Sequence, residues 1–120
     1  MNKEDYVSLE AAKLLKEKGF DKECEYYISA NTSQVFNKGR LKPFKEEGHE
    51  VFLCPTLYEA KKWLRTSYRI LVTPTCLFND KYTYHILRMD AGNIYCHNYN
   101  QYYSYEEALN AGILEALKLI

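Results

Sequence analysis

The sequence predicts an α+β fold in which three helices pack on an antiparallel sheet, in the order α-β-β-α-β-β-β-α. Three segments begin with a helix-capping residue and continue with apolar residues at helical spacing. Short runs rich in β-branched and aromatic residues lie between them, and no long linker or low-complexity tract interrupts the chain. A length of 120 residues is typical of one domain with its own core. We therefore expect residues 1–120 to form a single domain.

The first predicted helix follows Ser8, whose hydroxyl can accept a hydrogen bond from a free backbone N–H of the first turn. Apolar residues then recur at helical spacing as far as Leu15. Gly19 suits the left-handed position that follows the last turn of many helices. Phe20 is expected to fold back on Leu15, as in a Schellman stop.

A hairpin and a loop are predicted between the first two helices. Residues 24–30 alternate in a strand pattern, residues 31–33 form a turn, and a short return strand passes through residues 35–36. Residues 37–50 contain two glycines and a proline among charged residues, which indicates a surface loop. Residues 51–54 are apolar and predict one further short strand.

The second helix begins with the S/T-x-x-E spacing of a capping box, formed by Thr56 and Glu59. It is expected to end near Thr66. Trp63 lies beside the apolar face of this helix, so we expect its side chain to be largely buried against the sheet.

The third helix carries the strongest periodic signal of the sequence. Ser104 and Glu107 again have the spacing of a capping box. Apolar residues follow at helical spacing as far as Ile120. Small residues on this face would allow the helix to lie close to a sheet; they are Ala108, Gly112 and Ala116.

A three-stranded meander is predicted over residues 69–99, with turns at residues 79–80 and 90–93. A two-residue first turn and a four-residue second turn fix which residues lie opposite each other. The expected opposite pairs are Val72 with Leu87, Cys76 with Thr83, Leu87 with Cys96, and Met89 with Ile94. A slip of one residue in either turn would exchange the two faces of the strand concerned.

This register sorts the meander into an aliphatic face and an aromatic face, because alternate strand residues point to opposite sides. The aliphatic face is the natural core and holds Ile70, Val72, Cys76, Leu87, Met89, Ile94 and Cys96. The aromatic face holds Tyr82, Tyr84, Ile86, Arg88, Tyr95, His97 and Tyr99. Twelve tyrosines in 120 residues are far above normal usage, and tyrosine suits contact surfaces as well as half-buried strands.

We take the aromatic face as the candidate binding site, formed by Tyr84, Arg88, Tyr95, His97 and Tyr99. Tyr84 would lie across from Tyr99 and Arg88 across from Tyr95, so that Arg88 could stack on a ring. The alternative is that the first hairpin or a helix covers this face, in which case its tyrosines belong to the core.

Composition argues against several classes of function. The chain has 16 basic and 16 acidic residues, whereas a nucleic-acid-binding protein usually carries a basic excess. No apolar run approaches the roughly 20 residues that span a bilayer. The first residues lack the pattern of a signal peptide, and four widely spaced cysteines without a C-x-x-C pair fit free thiols in a reducing compartment. We expect a cytoplasmic protein with no membrane partner.

No motif predicts a catalytic residue, a metal site or a cofactor. Cys96 and His97 are adjacent, but adjacent strand residues point to opposite faces, so they do not pair as ligands. Neither G-x-S-x-G nor H-E-x-x-H occurs, and no glycine-rich loop precedes a helix. The most basic stretch, residues 38–45, is followed at once by acidic residues and fits a solvated loop. We therefore do not expect an enzyme.

Two segments resemble nucleic-acid-binding folds. Residues 6–15 resemble the opening helix of excisionase-like and MerR-like winged helix-turn-helix domains, but a predicted strand follows instead of a recognition helix. Residues 56–120 resemble a double-stranded-RNA-binding domain in their α-β-β-β-α order. That family's final helix opens with lysines that contact phosphates, whereas this chain has Tyr105 and Glu106 there.

The segments Pro55-Thr56-Leu57-Tyr58-Glu59-Ala60-Lys61-Lys62-Trp63-Leu64-Arg65 and Tyr103-Ser104-Tyr105-Glu106-Glu107-Ala108 carry a further resemblance. The chain resembles, over nearly its full length, a group of small proteins encoded by gut anaerobic bacteria and their phages. The shared motifs are helix starts. The resemblance implies a mobile-element or accessory origin and no particular activity.

Three functional hypotheses follow from the sequence. The leading one is a small binding or adaptor protein that uses the tyrosine-rich sheet face or the adjacent loops, with another protein or a second copy as its partner. The second is a nucleic-acid-binding module with the topology of a double-stranded-RNA-binding domain, against which the even charge argues. The third is a small enzyme without a known motif.

Overall fold

The computed structural model describes residues 5–89, the backbone of residues 93–95, and residues 100–120. The fold is α+β with antiparallel pairing, which confirms the predicted class. The helices are α1 (Leu9–Glu17), α2 (Leu41–Glu46), α3 (Leu57–Tyr68) and α4 (Tyr105–Lys118), and a 3-10 turn spans Lys38–Arg40. The strands are β1 (Tyr26–Ser29), β2 (Val35–Asn37), β3 (Val51–Leu53), β4 (Ile70–Cys76), β5 (Tyr82–Arg88) and β6 (Asn93–Tyr95).

The predicted start and end of α1 are confirmed. The Ser8 hydroxyl accepts a hydrogen bond from the Ala11 backbone N–H at 3.3 Å. At the other end Gly19 adopts a positive φ of 95°, and the Phe20 N–H donates to the Leu15 carbonyl at 2.9 Å. This is the hydrogen bond of a Schellman stop, which satisfies a carbonyl that the helix itself leaves free.

The two predicted capping boxes differ in the structure. At α3 the box is complete: Thr56 accepts from the Glu59 N–H at 3.1 Å, and Glu59 accepts from the Thr56 N–H at 2.9 Å. At α4 only half of it forms, because Ser104 accepts from the Glu107 N–H at 3.1 Å while the Glu107 carboxylate accepts from the Tyr103 N–H at 3.1 Å. The Glu107 carboxylate therefore binds the backbone of Tyr103, the residue before the cap, instead of the cap residue itself.

The single predicted sheet is in fact two three-stranded sheets. The first has the order β2-β1-β3 and the second the order β4-β5-β6, and all the pairs are antiparallel. The predicted loop at residues 37–50 is also wrong in part, since it contains the 3-10 turn and α2. Pro43 lies within the first turn of α2, where its missing N–H disrupts nothing, and Phe44 stacks on Phe36 with ring centroids 3.9 Å apart.

The register of the β4–β5 hairpin differs by one residue from the prediction. Cys76 pairs with Tyr82 and Val72 with Ile86, instead of with Thr83 and Leu87. The loop has three residues, since the Leu77 N–H donates to the Lys81 carbonyl at 2.6 Å and Asp80 adopts a φ of 61°. A left-handed last loop residue is typical of three-residue hairpins.

The second turn of the meander also sets a different register. β5 and β6 pair Ile86 with Tyr95, Leu87 with Ile94, and Arg88 with Asn93. The predicted pairings of Leu87 with Cys96, of Met89 with Ile94 and of Arg88 with Tyr95 are therefore wrong. The connection still has four residues but begins one residue earlier, between Arg88 and Asn93. Each β5 residue therefore pairs two positions earlier in the chain than predicted.

The three longer helices run in the same direction, which gathers their N-terminal ends at one end of the molecule. The Ser8 N–H donates to Asn110 Oδ1 at 3.1 Å near the starts of α1 and α4. At the opposite end Lys18 Nζ donates to the Ile120 carbonyl at 2.6 Å. The Tyr68 hydroxyl, at the end of α3, donates to the Lys18 carbonyl at 2.7 Å.

One cluster of buried side chains connects both sheets with these three helices. The cluster contains side chains of α1, β1, β3, α3, β4, β5 and α4. One from each is, in that order, Leu15, Ile28, Phe52, Leu64, Ile70, Ile86 and Ile113. Helix α4 lies close to the second sheet at Gly112, where an added Cβ would lie 2.5 Å from Val72 Cγ1 and 3.1 Å from Tyr84 Cγ. Trp63 is buried, as predicted, but its ring packs edge-on against Phe20 and Tyr68, so its packing against the sheet stays a prediction.

Within the described part of the chain, no helix has both the length and the apolar character required to cross a membrane.

Candidate binding surface

The residues of the predicted binding site do not form one exposed surface in the described part of the structure. Tyr84 is only 3% exposed and belongs to the core beneath α4, so its placement on an open aromatic face was wrong. Arg88 is half-buried at the end of β5, and Tyr95 pairs with Ile86 in β6. His97 and the predicted partner Tyr99 lie outside the described residues, and the binding role of these four stays a prediction.

A different set of aromatic side chains faces the solvent. Tyr58 is 68% exposed and Tyr103 is 75% exposed, while Tyr105 is partly exposed and Phe78 is fully exposed. We call these four residues the aromatic surface. Scattered single apolar residues need no explanation, whereas exposed apolar residues that lie together mark interaction sites. The positions of these four residues relative to each other therefore decide whether they indicate an interaction site.

The hairpin tip that carries Phe78 is joined to the segment that carries Tyr103. Tyr82 and Tyr102 exchange two backbone hydrogen bonds of 2.8 and 2.7 Å. Asn79 Nδ2 also donates to Gln101 Oε1 at 3.4 Å. The segment before α4 therefore runs along the start of β5, which brings the hairpin tip and the α4 cap to one part of the surface.

Side-chain contacts extend this arrangement towards α4. The Lys81 ammonium group lies over the Tyr103 ring, 4.6 Å from its centroid. The Tyr82 ring meets the Tyr105 ring edge-on, with centroids 6.3 Å apart. Both contacts hold rings in place without removing them from solvent, so the aromatic surface is partly ordered in the free protein.

Tyr105 and Tyr58 border a groove between the N-terminal ends of α4 and α3. Its volume is about 360 Å³. The groove is lined by the two tyrosines together with Asp5, Thr56, Leu57, Lys61, Glu106 and Leu109. It therefore combines an apolar floor with two carboxylates and one ammonium group.

A larger groove of about 680 Å³ lies beside the starts of α1 and α4. Its apolar wall comes from α1, β1, β2 and the residues before α1. The lining residues are Tyr6, Val7, Ser8, Leu9, Ile28, Ser33, Val35, Glu106, Glu107 and Asn110. Asn110 Nδ2 donates to the Ser8 hydroxyl at 3.3 Å, which joins the two helix starts. Glu106 lines both grooves and separates them.

Ser29, His49 and Glu47 form a series that resembles a nucleophile, base and acid. The Ser29 hydroxyl lies 2.7 Å from His49 Nδ1, and His49 Nε2 lies 3.5 Å from a Glu47 carboxylate oxygen. However, Ser29 is completely buried, and its hydroxyl also accepts the Asn31 N–H at 3.2 Å. A substrate carbonyl cannot reach this oxygen, so we interpret the series as a structural contact between β1 and the residues before β3.

The buried thiols are held in their protonated form. Burial raises the pKa of Cys54 to about 12 and that of Cys24 to about 11. The Cys54 thiol donates to the Val7 carbonyl at 3.6 Å. Burial, and next a hydrogen bond with Tyr26, raises the pKa of Tyr6 to about 12. Because a thiolate is the reactive form of cysteine, neither buried thiol is a nucleophile at neutral pH.

Metal binding has no support among the residues that the structure describes. No three side chains of His, Cys, Asp or Glu come together there in a group that could hold a metal ion. Cys24, Cys54 and Cys76 are free thiols, and Cys96 lies outside the described residues.

The chain matches no family model, no curated protein and no solved structure. The aromatic surface is therefore interpreted from its own geometry. A signal for it was present in the sequence: Phe78 precedes the turn residues 79–80, and Tyr103 and Tyr105 flank the helix cap Ser104. Turns and the segments beside helix caps lie at the surface. An aromatic side chain there is not part of the core, which makes it a candidate contact residue.

Proposed function

We propose that the protein is a small binding protein whose aromatic surface docks another protein or a second copy of the chain. The observation that carries this proposal is the exposure of these four aromatic side chains, Tyr58, Phe78, Tyr103 and Tyr105. Tyr58 and Tyr105 border one groove, and hydrogen bonds join the hairpin tip that carries Phe78 to the segment before α4. Tyrosine and other aromatic residues are enriched at protein interfaces, and each can bury about 150–250 Å² on binding. Such rigid side chains also lose little conformational entropy when a partner orders them.

The charges around the aromatic surface favour a protein partner over a nucleic acid. Charged residues of both signs lie beside this surface: Lys22, Lys61, Lys62 and Lys81, and Asp5, Glu59, Glu106 and Glu107. Single-stranded nucleic acid is bound where stacking rings line a positively charged groove. Among the described residues, this rim mixes both signs of charge instead of forming the basic groove that a phosphate backbone needs.

The sequence resemblance and the free thiols support a proposal for the origin of the protein and for the compartment in which it acts. Three free thiols, of which Cys76 is exposed, fit a reducing compartment, and we propose that the protein acts in the cytoplasm. The resemblance to small proteins of gut anaerobes and their phages supports an origin in a mobile element. An adaptor of this kind would act on proteins of the host cell or of the element itself.

An affinity-capture experiment tests the binding role. A variant with Tyr58→Ser, Phe78→Ser and Tyr103→Ser should fold with little loss of stability, because all three side chains are exposed. Extracts of the cells that encode the protein are passed over the immobilised parent chain and over this variant, and bound proteins are quantified by mass spectrometry. We expect at least one protein to bind the parent and to be reduced about tenfold or more on the variant, since hot-spot residues each contribute about 2 kcal/mol or more.

The matched control changes three exposed residues elsewhere, with Glu17→Ser, Lys45→Ser and Arg65→Ser. This control should retain the bound protein at the level of the parent. Equal binding to all three chains, or no protein enriched on the parent, would overturn the proposal. If the enriched protein is the chain itself, the aromatic surface is a self-association surface.

A further inference from the structure

We propose that the two grooves beside the aromatic surface accept an extended peptide segment in which a basic side chain lies between two apolar ones. This inference rests on the proposed binding function and specifies the chemistry of the partner. It rests on the carboxylate that the two grooves share, and on a contact of the aromatic surface outside the grooves in which the chain binds a cation of its own.

The arrangement fixes the order of side chains along the segment. The groove of about 680 Å³ and the groove of about 360 Å³ share Glu106 as a lining residue. The consecutive residues Asp5 and Tyr6 line the smaller and the larger groove respectively. A chain that crosses from one groove to the other therefore passes Glu106, which we call the ridge, with apolar lining residues on both sides.

The charges lining the grooves complement a basic side chain at the ridge. The larger groove is lined by Glu106 and Glu107 and, within the part of the chain that the structure describes, by no lysine or arginine. The described lining of the smaller groove also includes Asp5, which has a partner of its own, and Lys61. Glu106 forms no ion pair with another residue in the described ranges. Carboxylates are favourable at the start of a helix such as α4 even when they bind nothing. Their presence alone therefore does not show that a partner with a basic side chain binds here.

A second observation is the contact between Lys81 and Tyr103. The ammonium group lies 4.6 Å from the centroid of a ring that remains 75% exposed, so a tyrosine of this surface binds a cation in the free protein. Tyr58 and Tyr105 border the smaller groove, beside Glu106. An arginine of a partner can therefore contact a tyrosine ring and a carboxylate at once, as guanidinium groups favour.

An extended segment satisfies this pattern with alternate residues. Residues i, i+2 and i+4 of a strand point to the same side, with about 7 Å between successive side chains. The probe is accordingly N-acetyl-Leu-Ala-Arg-Ala-Leu-amide, in which the two leucines enter the grooves and the arginine meets the ridge. Two comparison peptides carry Gln or Glu in place of the Arg.

The experiment measures the dissociation constant of each peptide by NMR chemical-shift titration of the labelled protein. We expect the Arg peptide to bind about threefold tighter than the Gln peptide and about tenfold tighter than the Glu peptide, as one exposed ion pair and one cation–π contact supply. Glu106→Gln should reduce both ratios towards one. Glu17→Gln, which removes the same charge at the far end of α1, should leave both ratios unchanged.

The outcomes separate this inference from the binding function itself. Equal affinity for the three peptides, lost on Tyr58→Ser with Tyr105→Ser, would overturn the basic-segment inference and leave the aromatic surface as a binding site. No binding of any peptide would also overturn it, and the capture experiment would then decide the binding function by itself. Ratios that Glu17→Gln lowers as much as Glu106→Gln would show general charge attraction and would contradict a site at the ridge.

Discussion

Gly112→Val is expected to lower the free energy of unfolding by about 3 kcal/mol, because the new side chain has no room between α4 and the second sheet. A Cβ at this position would lie 2.5 Å from Val72 Cγ1 and 3.1 Å from a carbon of the Tyr84 ring. Val72 is β-branched and held on a strand, so it cannot rotate away. Tyr84 is buried and has no free space either.

Chemical denaturation of the purified variant measures this effect. The matched control is Ala111→Val on the same helix, where the position is half-buried. This change lowers helical propensity whereas Gly112→Val raises it, so propensity cannot explain a larger loss at Gly112. We expect this control to lose less than half as much stability. If the two variants unfold at the same denaturant concentration, α4 does not approach β4 and β5 as closely as the structure places it.

Trp63→Ala is expected to lower the free energy of unfolding by about 3–5 kcal/mol, the usual range for a buried tryptophan. The ring is 6% exposed and packs edge-on against Phe20 at 5.3 Å and Tyr68 at 5.2 Å. Its removal leaves a cavity between α3, the end of α1 and the residues after it. Thermal melting followed by circular dichroism provides the measurement.

Tyr58→Ala is the control for this prediction, since it also truncates a large aromatic residue of α3 but on the exposed side. We expect it to melt close to the parent protein. A Trp63→Ala variant that melts no lower than Tyr58→Ala would mean that the orientation of α3 is wrong. The same control shows whether the aromatic surface can be altered without loss of the fold.

Helix ends could be predicted from the sequence because their chemistry is local. Ser8, Thr56 and Ser104 each accept the backbone hydrogen bond that their position predicts, and Gly19 adopts the left-handed conformation of a helix stop. Each of these interactions joins residues only a few positions apart. Local pattern is therefore sufficient to find them.

The faces of the meander could not be predicted, because they depend on one residue of loop length. Asn79-Asp80 is a valid two-residue turn, yet the chain uses three loop residues, with Asp80 in the left-handed conformation. Tyr84 therefore pairs with Pro74 and points to the core with Ile86. The sequence contains no local signal that separates the two loop lengths.

The short helix α2 and the separation into two sheets depend on contacts between distant residues. A helix of six residues is too short to show a periodic pattern. Phe44 of this helix is buried where its ring stacks on that of Phe36 in β2. Likewise, β3 pairs with β1 across more than twenty residues of chain. The aromatic surface shares this origin, since it forms where the hairpin tip meets the start of α4.

The most direct test of the aromatic surface as a docking site is photo-crosslinking from the tip of the hairpin. Phe78 is replaced by p-benzoylphenylalanine, which keeps the aromatic ring at this fully exposed position, and the protein is irradiated in the cells that encode it. We predict one discrete adduct, reduced when Tyr58→Ser and Tyr103→Ser are added and missing when the crosslinker is placed at Glu17 instead. The absence of an adduct from position 78, or an equal adduct from position 17, would contradict docking at the aromatic surface.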